Sequence, residues 1–173
     1  EEDPAQFAAV QMNLATALND RARFMDRFDS IFIYEEASAA CREALRVRSR
    51  TALPRSWAKC QVTLAKSLCG QAATTGGADG AHLAHEAVRA AEQALEVVTR
   101  QVAPREWAEA RNVVGVAYET LAELEPARAQ TFLKSAAEAI SDASKELAAA
   151  PKARAALRRK SNKIGSRAIA LAA

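Results

Sequence analysis

Apolar residues recur along this chain at intervals of three and four, the spacing that lines one side of an α-helix. From Pro54 onward, Trp57, Cys60 or Gln61, Leu64 and Leu68 form such a stripe, which predicts a helix to about Ala73. Proline suits its first turn, where the missing N–H has no intrahelical partner to lose. A breaker cluster, Thr74 to Gly80, predicts a mobile connecting loop. Leu83, Ala87, Ala91, Ala94, Leu95 and Val98 then predict a second helix from about Ala81 to Val102. Pro104 ends it, because the residue before a proline disfavours the helical backbone.

The flanking segments repeat this plan. Pro4 to about Arg23 is expected to be helical with Phe7, Val10, Leu14 and Leu18 inward, and Ile31 to about Thr51 with Tyr34, Ala37, Cys41, Ala44 and Leu45 inward. A third pair is expected over Pro104 to about Glu123 and Ala127 to Ala149, turning at Glu125-Pro126. In its second helix Ala139, Ala143 and Leu147 stand where Ala87, Ala91 and Leu95 stood, a drift of roughly two residues. A last amphipathic stretch from Pro151 carries Ala153, Leu157, Ile164, Ala168 and Leu171 on one face, making seven helices.

The periodicity is also literal. Pro4-Ala-Gln-Phe7-Ala8 returns as Pro54-Arg-Ser-Trp57-Ala58 and as Pro104-Arg-Glu-Trp107-Ala108, fifty residues apart each time. A fixed period of that size marks stacked units, none of which buries its apolar face alone. The expected fold is all-α: a right-handed α-solenoid of three antiparallel helix pairs, over residues 4–53, 54–103 and 104–150, with a basic capping helix at 151–173. Ala37, Ala44, Ala87, Ala91 and Ala94 keep paired helices close, and Trp57 and Trp107 are expected to plug one unit against its neighbour.

Composition agrees. Half of the 173 residues are apolar but only nine are aromatic, and alanine, the best helix former, dominates. No apolar run approaches the ~20 residues of a membrane span. Cys41, Cys60 and Cys69 match no metal or redox spacing and suit free, buried thiols in a reducing cytosol. The chain opens without methionine, directly on the first unit, as a segment of a larger protein would. Its net charge of +3 hides an asymmetry: residues 1–150 are net acidic, whereas 151–173 carry seven basic and no acidic side chains.

These units resemble the tetratricopeptide repeat family, in a long bacterial variety. The first-helix motif reads Leu14-Ala15-x-x-Leu18, Leu64-Ala65-x-x-Leu68 and Val114-Gly115-x-x-Tyr118. The second reads Ala37-x-x-x-Cys41-x-x-Ala44 and Ala87-x-x-x-Ala91-x-x-Ala94, fading in the third unit to Ala139-x-x-x-Ala143-x-x-Glu146. The resemblance implies a protein-interaction scaffold whose first helices line a concave groove. By position, the groove residues are Ala9, Met12, Thr16 and Asn19; Lys59, Val62, Lys66 and Cys69; and Glu109, Asn112, Val116 and Glu119. The clamp that grips chaperone tails is not expected, since only Asn13 matches its asparagines; Thr63 and Val113 stand at the equivalent places.

Other features are read against simpler roles. His82 and His85 lie three apart on one helix face but lack a third ligand, so they are read as an exposed helix start, with no metal and no cofactor expected. The 74–80 loop lacks the Gly-Lys-Ser/Thr of a phosphate-binding loop. Phe24, Phe28, Phe32 and Tyr34 either pack the first inter-helix turn or form an exposed patch for a partner or a second copy. The basic face of Lys152, Arg154, Arg158, Arg159, Lys160, Lys163 and Arg167 either meets water above a capping stripe or contacts nucleic acid or an anionic membrane surface. No nucleophile–base constellation is visible, so no enzyme is expected. A peptide, a helix or a neighbouring domain is the expected partner, in the cytoplasm.

Overall fold

The computed structural model describes residues 3–146 and 151–172, and among these it contains seven α-helices and no strand. They are α1 (Pro4–Ala22), α2 (Arg27–Val47), α3 (Pro54–Thr75), α4 (Gly77–Leu95), α5 (Pro104–Leu124), α6 (Ala129–Glu146) and α7 (Pro151–Ala170), with a 3₁₀ turn at Pro126–Arg128 before α6. Each helix packs against the next along the chain. The first helices of neighbouring units also touch, α1 with α3 and α3 with α5. The expected continuation of the third pair through Leu147 to Ala149 lies outside the described residues.

Local chemistry sets the helix ends. The Asp3 side chain accepts from the Ala5 N–H and that of Asp26 from the Asp29 N–H, each at 2.9 Å. The Asp26 cap starts α2 at Arg27, four residues before the predicted start at Ile31. Pro54 and Pro104 open α3 and α5 as expected. The turns before them also repeat: the hydroxyls of Ser49 and Thr99 accept from the N–H groups of Ala52 and Val102, at 3.1 and 3.3 Å. These turns end α2 at Val47 and α4 at Leu95, ahead of the predicted ends at Thr51 and Val102.

The predicted loop over 74–80 is a correction. Helix α3 runs through Thr75, and α4 resumes at Gly77 after a break at Gly76 alone. Gly76 and Gly77 have φ of 75° and 59°, a left-handed backbone that glycine adopts without steric penalty. One such reversal therefore replaces a loop. Gly80 is buried inside α4, where a Cβ would stand 2.6 Å from the Ala72 carbonyl oxygen, so its job is close helix approach.

The core is mostly alanine and other small residues, with Phe132, Leu64, Leu68, Val114, Leu121, Leu133, Ile140 and Ile164 among its larger members. Helix α3 is buried on nearly every side, so both Cys60 and Cys69 are enclosed although they lie on opposite faces of the helix. Two expectations fail here. Val10 and Leu14 are exposed, because no other helix among the described residues covers the side of α1 they occupy. Trp57 and Trp107 are half-buried rather than plugs, each lying beneath an arginine.

Helix α7 follows the repeat more closely than its sequence suggests. Buried positions of α5 lie six, ten, thirteen and seventeen residues after Pro104: Ala110, Val114, Ala117 and Leu121. At the same distances after Pro151 stand Leu157, Ser161, Ile164 and Ala168, which pack α7 against α6. Ser161 is buried there and donates to the Ala137 carbonyl at 2.8 Å. The motif is hard to see because Arg154 replaces the aromatic residue and Ser161 a hydrophobic one.

Candidate functional site

A concavity of about 1120 Å³ is lined chiefly by α1, α3 and α5, one first helix from each unit. Thr16, Asn19, Lys59, Val62, Lys66, Cys69, Glu109, Asn112 and Val116 all face it, as their positions in the repeat predict. Three predicted members do not: Ala9 is not among the lining residues, and two others turn elsewhere. Met12 is buried in the core, and Glu119 turns away to α7, where Lys160 Nζ sits 2.9 Å and Arg167 3.8 Å from its carboxylate. A second hollow of about 460 Å³ shares Glu106, Glu109 and Asn112 with the first and reaches Leu157 of α7. The concave face thus runs from α1 to α7.

Ion pairs cross this face between α3 and α5. Lys66 Nζ lies 2.5 Å from Glu109 Oε1, and Arg55 pairs with Glu106. The Glu106 carboxyl is held below its usual pKa range by its own backbone N–H and by the Arg55 guanidinium. The α5 carboxylates are therefore matched, whereas Lys59 and Arg23 line the groove without a carboxylate at ion-pair distance among the described residues. Sequence position missed Arg55, Glu106, Asp20 and Arg23, all of which face the groove. The signal for the first two was the pair of charged residues just after the repeated proline.

The floor is polar as well as apolar. Asn19 Nδ2 donates to Ser67 Oγ at 2.8 Å, and that hydroxyl donates to the Thr63 carbonyl at 3.1 Å. This chain joins α1 to α3 beneath the groove. Tyr34 of α2 closes one end, its ring lying over Gly70, where a Cβ would stand 2.3 Å from the ring. Burial raises the Tyr34 pKa, with Arg23 opposing. Asn13, Thr63 and Val113 also face the groove, so the position equivalent to Asn13 is an amide in the first unit only.

The other candidates separate. His85 is half-buried and not an exposed helix start: its Nε2 is 2.6 Å from Glu125 Oε1, and its ring meets Phe132 edge-on at 6.1 Å. His82 is exposed. No group of three metal-binding side chains forms among the described residues. All three cysteines are free and buried. Phe24, Phe28 and Phe32 are exposed, while Tyr34 is half-buried, so the aromatic excess of the first unit does not fill its turn. On α7, Lys152, Arg154, Arg158, Arg159 and Lys163 face outward. Among the described residues no helix is long and apolar enough to cross a membrane. No family model matches the chain, and no curated protein or solved structure resembles it closely enough to match.

Proposed function

We propose that this chain is a tetratricopeptide-like interaction scaffold, a right-handed solenoid of antiparallel helix pairs that holds a peptide, a helix or a neighbouring domain in its concave groove. The observation that carries this reading is the convergence of α1, α3 and α5 on one concavity. There, all the residues predicted from repeat position except Ala9, Met12 and Glu119 face the same space. Its apolar members Val62, Val113 and Val116 supply burial, and its amides and charges fix register. Because the α5 carboxylates already have cationic partners, Lys59 and Arg23 outnumber Asp20 and give the α1–α3 end a net positive bias, which favours a partner with an acidic side chain or terminus. It is a binding surface rather than a reaction centre. The test is selection of peptides from a display library, followed by titration of the best binder against the Lys59→Glu variant. Affinity for an acidic binder should fall about tenfold or more, roughly 1.4 kcal/mol. Unchanged affinity removes the groove assignment.

A second reading, binding to nucleic acid or an anionic surface, is favoured by the five outward cations of α7. Binding of that kind falls steeply with salt. Replacing Lys152, Arg154, Arg158, Arg159 and Lys163 by glutamine tests it without removing α7, which also buries Ile164 and Ala168. Retention of the chain on heparin or anionic vesicles after that change removes this reading.

A further inference from the structure

Two asparagines break the repeat at the floor of the groove. At the place of Asn19 the next two units carry Cys69 and Glu119, and at that of Asn112 the first two carry Met12 and Val62. The helices therefore pack without an amide at either place. Asn19 is 9 % exposed, Asn112 is half-buried, and both line the concavity. Asn19 Oδ1 and Asn112 Oδ1 are buried and accept no hydrogen bond, and among the described residues no other buried side-chain oxygen lacks a partner. A buried acceptor left unmet opposes folding, and a donor that reaches it relieves that cost.

The first of these acceptors is oriented by a relay. A serine hydroxyl carries one proton, and Ser67 gives its own to the Thr63 carbonyl at 3.1 Å. Ser67 can therefore only accept from Asn19, which sets the amide nitrogen against it at 2.8 Å and leaves Oδ1 as the free atom. Between α3 and α5 the corresponding residues are Cys69 and Ala117, which make no such relay. What must arrive is a donor, and the surroundings narrow its kind. Lys59 and Arg23 leave this face net positive, which disfavours an ammonium or a guanidinium. Neutral donors remain, and one occupant must supply them at two places. A helical segment has its N–H groups bonded internally beyond the first turn. An extended one offers free N–H groups along its length, at about 3.3 Å per residue.

We propose that the groove takes the extended main chain of a partner protein, with Asn19 Oδ1 and Asn112 Oδ1 each accepting one of its peptide N–H groups. This rests on the groove being the binding surface, and it narrows the occupant from a peptide, a helix or a domain to an extended segment. Main-chain bonds on α1 and α5 hold the segment across α3 whatever its side chains are. Selectivity is then left to the acidic group that Lys59 and Arg23 favour.

Ester scanning of a peptide selected from a display library tests this, each peptide N–H in turn being replaced by oxygen. The peptides are titrated against the parent, Asn19→Cys and Asn112→Val. Both variants carry the residue that the second unit has at that place, so their helical circular dichroism should be unchanged. A lost N–H should weaken binding to the parent about fivefold at two positions. At one of them the ester should make no difference in Asn19→Cys, and at the other none in Asn112→Val. Ser67→Ala, which releases the Asn19 amide, should shrink the first of these losses and not the second. Coupling to neither asparagine, or to one alone, overturns the proposal. If Lys59→Glu still weakens that peptide, the groove reading stands and its occupant is helical or held by side chains. A peptide indifferent to Lys59→Glu and to both asparagines, or a library that yields no binder, removes the groove reading and the proposal with it.

Discussion

The Arg50 guanidinium lies over the Trp57 ring, 5.6 Å from its centre, and the same group pairs with Glu96 Oε2 at 2.6 Å. Fifty residues on, Arg100 lies 5.7 Å from the centre of the Trp107 ring and pairs with Glu146. One arginine thus joins the end of a second helix, the aromatic residue of the next first helix, and the carboxylate that closes the next second helix. A cation–π contact at an exposed site contributes ~0.5–1 kcal/mol, and an exposed ion pair ~0–1 kcal/mol. Arg50→Ala should therefore lower stability to urea by about 1 kcal/mol. Lysine at the same place should recover only part of the loss, since it lacks the planar fork that stacks and pairs at once. Urea titration of the three proteins, with an unchanged slope, checks this.

Gly115 faces Ile140 across the α5–α6 contact. A Cβ at Gly115 would stand 2.4 Å from Ile140 Cγ1 and 3.1 Å from the Ala136 carbonyl oxygen. In the second unit the corresponding residues are Ala65 and Val88, so one pair differs from the other by shifting a methyl group across the interface. Gly115→Ala alone should cost about 1–3 kcal/mol through overpacking. Ile140→Ala, which removes the clashing Cγ1, should cost less in the Gly115→Ala background than in the parent. Loss that is simply additive in a double-mutant cycle would show that the two sites do not share this space.

These pairs show what a sequence states and what it leaves out. The proline–aromatic period and the three-and-four spacing fix the number of helices and the start of each unit, because both are local rules acting within one helix. A glycine cluster usually marks a loop, but the cluster at 74–80 does not. Here Gly76 supplies a sharp reversal and Gly80 a close approach to Ala72, and neither role is legible without the neighbouring helix. The same pattern that buries Cys60 and Leu64 predicts Val10 and Leu14 inward. The pattern was right for the surface and silent about whether a neighbour covers it. In the groove, repeat position found Lys66 and Glu109, but not that they neutralise each other. It also missed the diversion of Glu119 to α7, since a contact between units depends on side-chain reach.

The thiols should be nearly inert. Burial pushes Cys41 up to about 12, with the Cys60 sulfur adding to the shift and Ser67 and Arg42 opposing it. Burial likewise pushes Cys69 up to about 12, slightly opposed by Lys160, although this side chain borders the groove. An unfolded thiol ionises near pH 8.5. The raised folded values mean that these thiols stabilise the fold fully below about pH 8.5, and that this contribution is lost progressively as pH rises toward 12. Alkylation at pH 8 should wait on unfolding, so its rate should rise with urea. Melting temperature should fall above about pH 9, and less so for Cys41→Ala measured against its own value at pH 7.

Asp142 moves stability at the acid end. Its carboxyl accepts from Lys145 and Arg111, each at 2.9 Å, and joins α6 to α5. Partial burial raises its pKa, but the hydrogen bonds and charges of Lys145 and Arg111 outweigh this and leave it below the usual value. The folded value therefore lies under the unfolded one. The pairing stabilises fully above about pH 4 and is lost as pH falls through the folded value. Asp142→Asn should melt lower than the parent at pH 7, with the difference closing below about pH 4. A gap that stays constant down to pH 2 would mean that the loss comes from packing instead.

Helix α7 distinguishes a cap from a ligand arm. Ile164 is 1 % exposed and sits at the position that Ala117 occupies in α5. Removing its buried methyl groups should cost about 2–5 kcal/mol if α7 is part of the stack. Around it, Ser161 bonds to α6, and Lys160 and Arg167 converge on Glu119 of α5. Glu119→Gln should leave these two cations unpaired and weaken the attachment without opening a cavity, costing well under the Ile164→Ala change. Hydrogen exchange reads the difference directly. In Ile164→Ala, amides of α7 should lose protection together with those of α6, because α6 then loses the helix that covers it. In Glu119→Gln, α7 should loosen alone. If α7 amides exchange freely in the unmodified chain while α6 stays protected, α7 is an arm rather than a cap, and its seven cations are then available for a ligand.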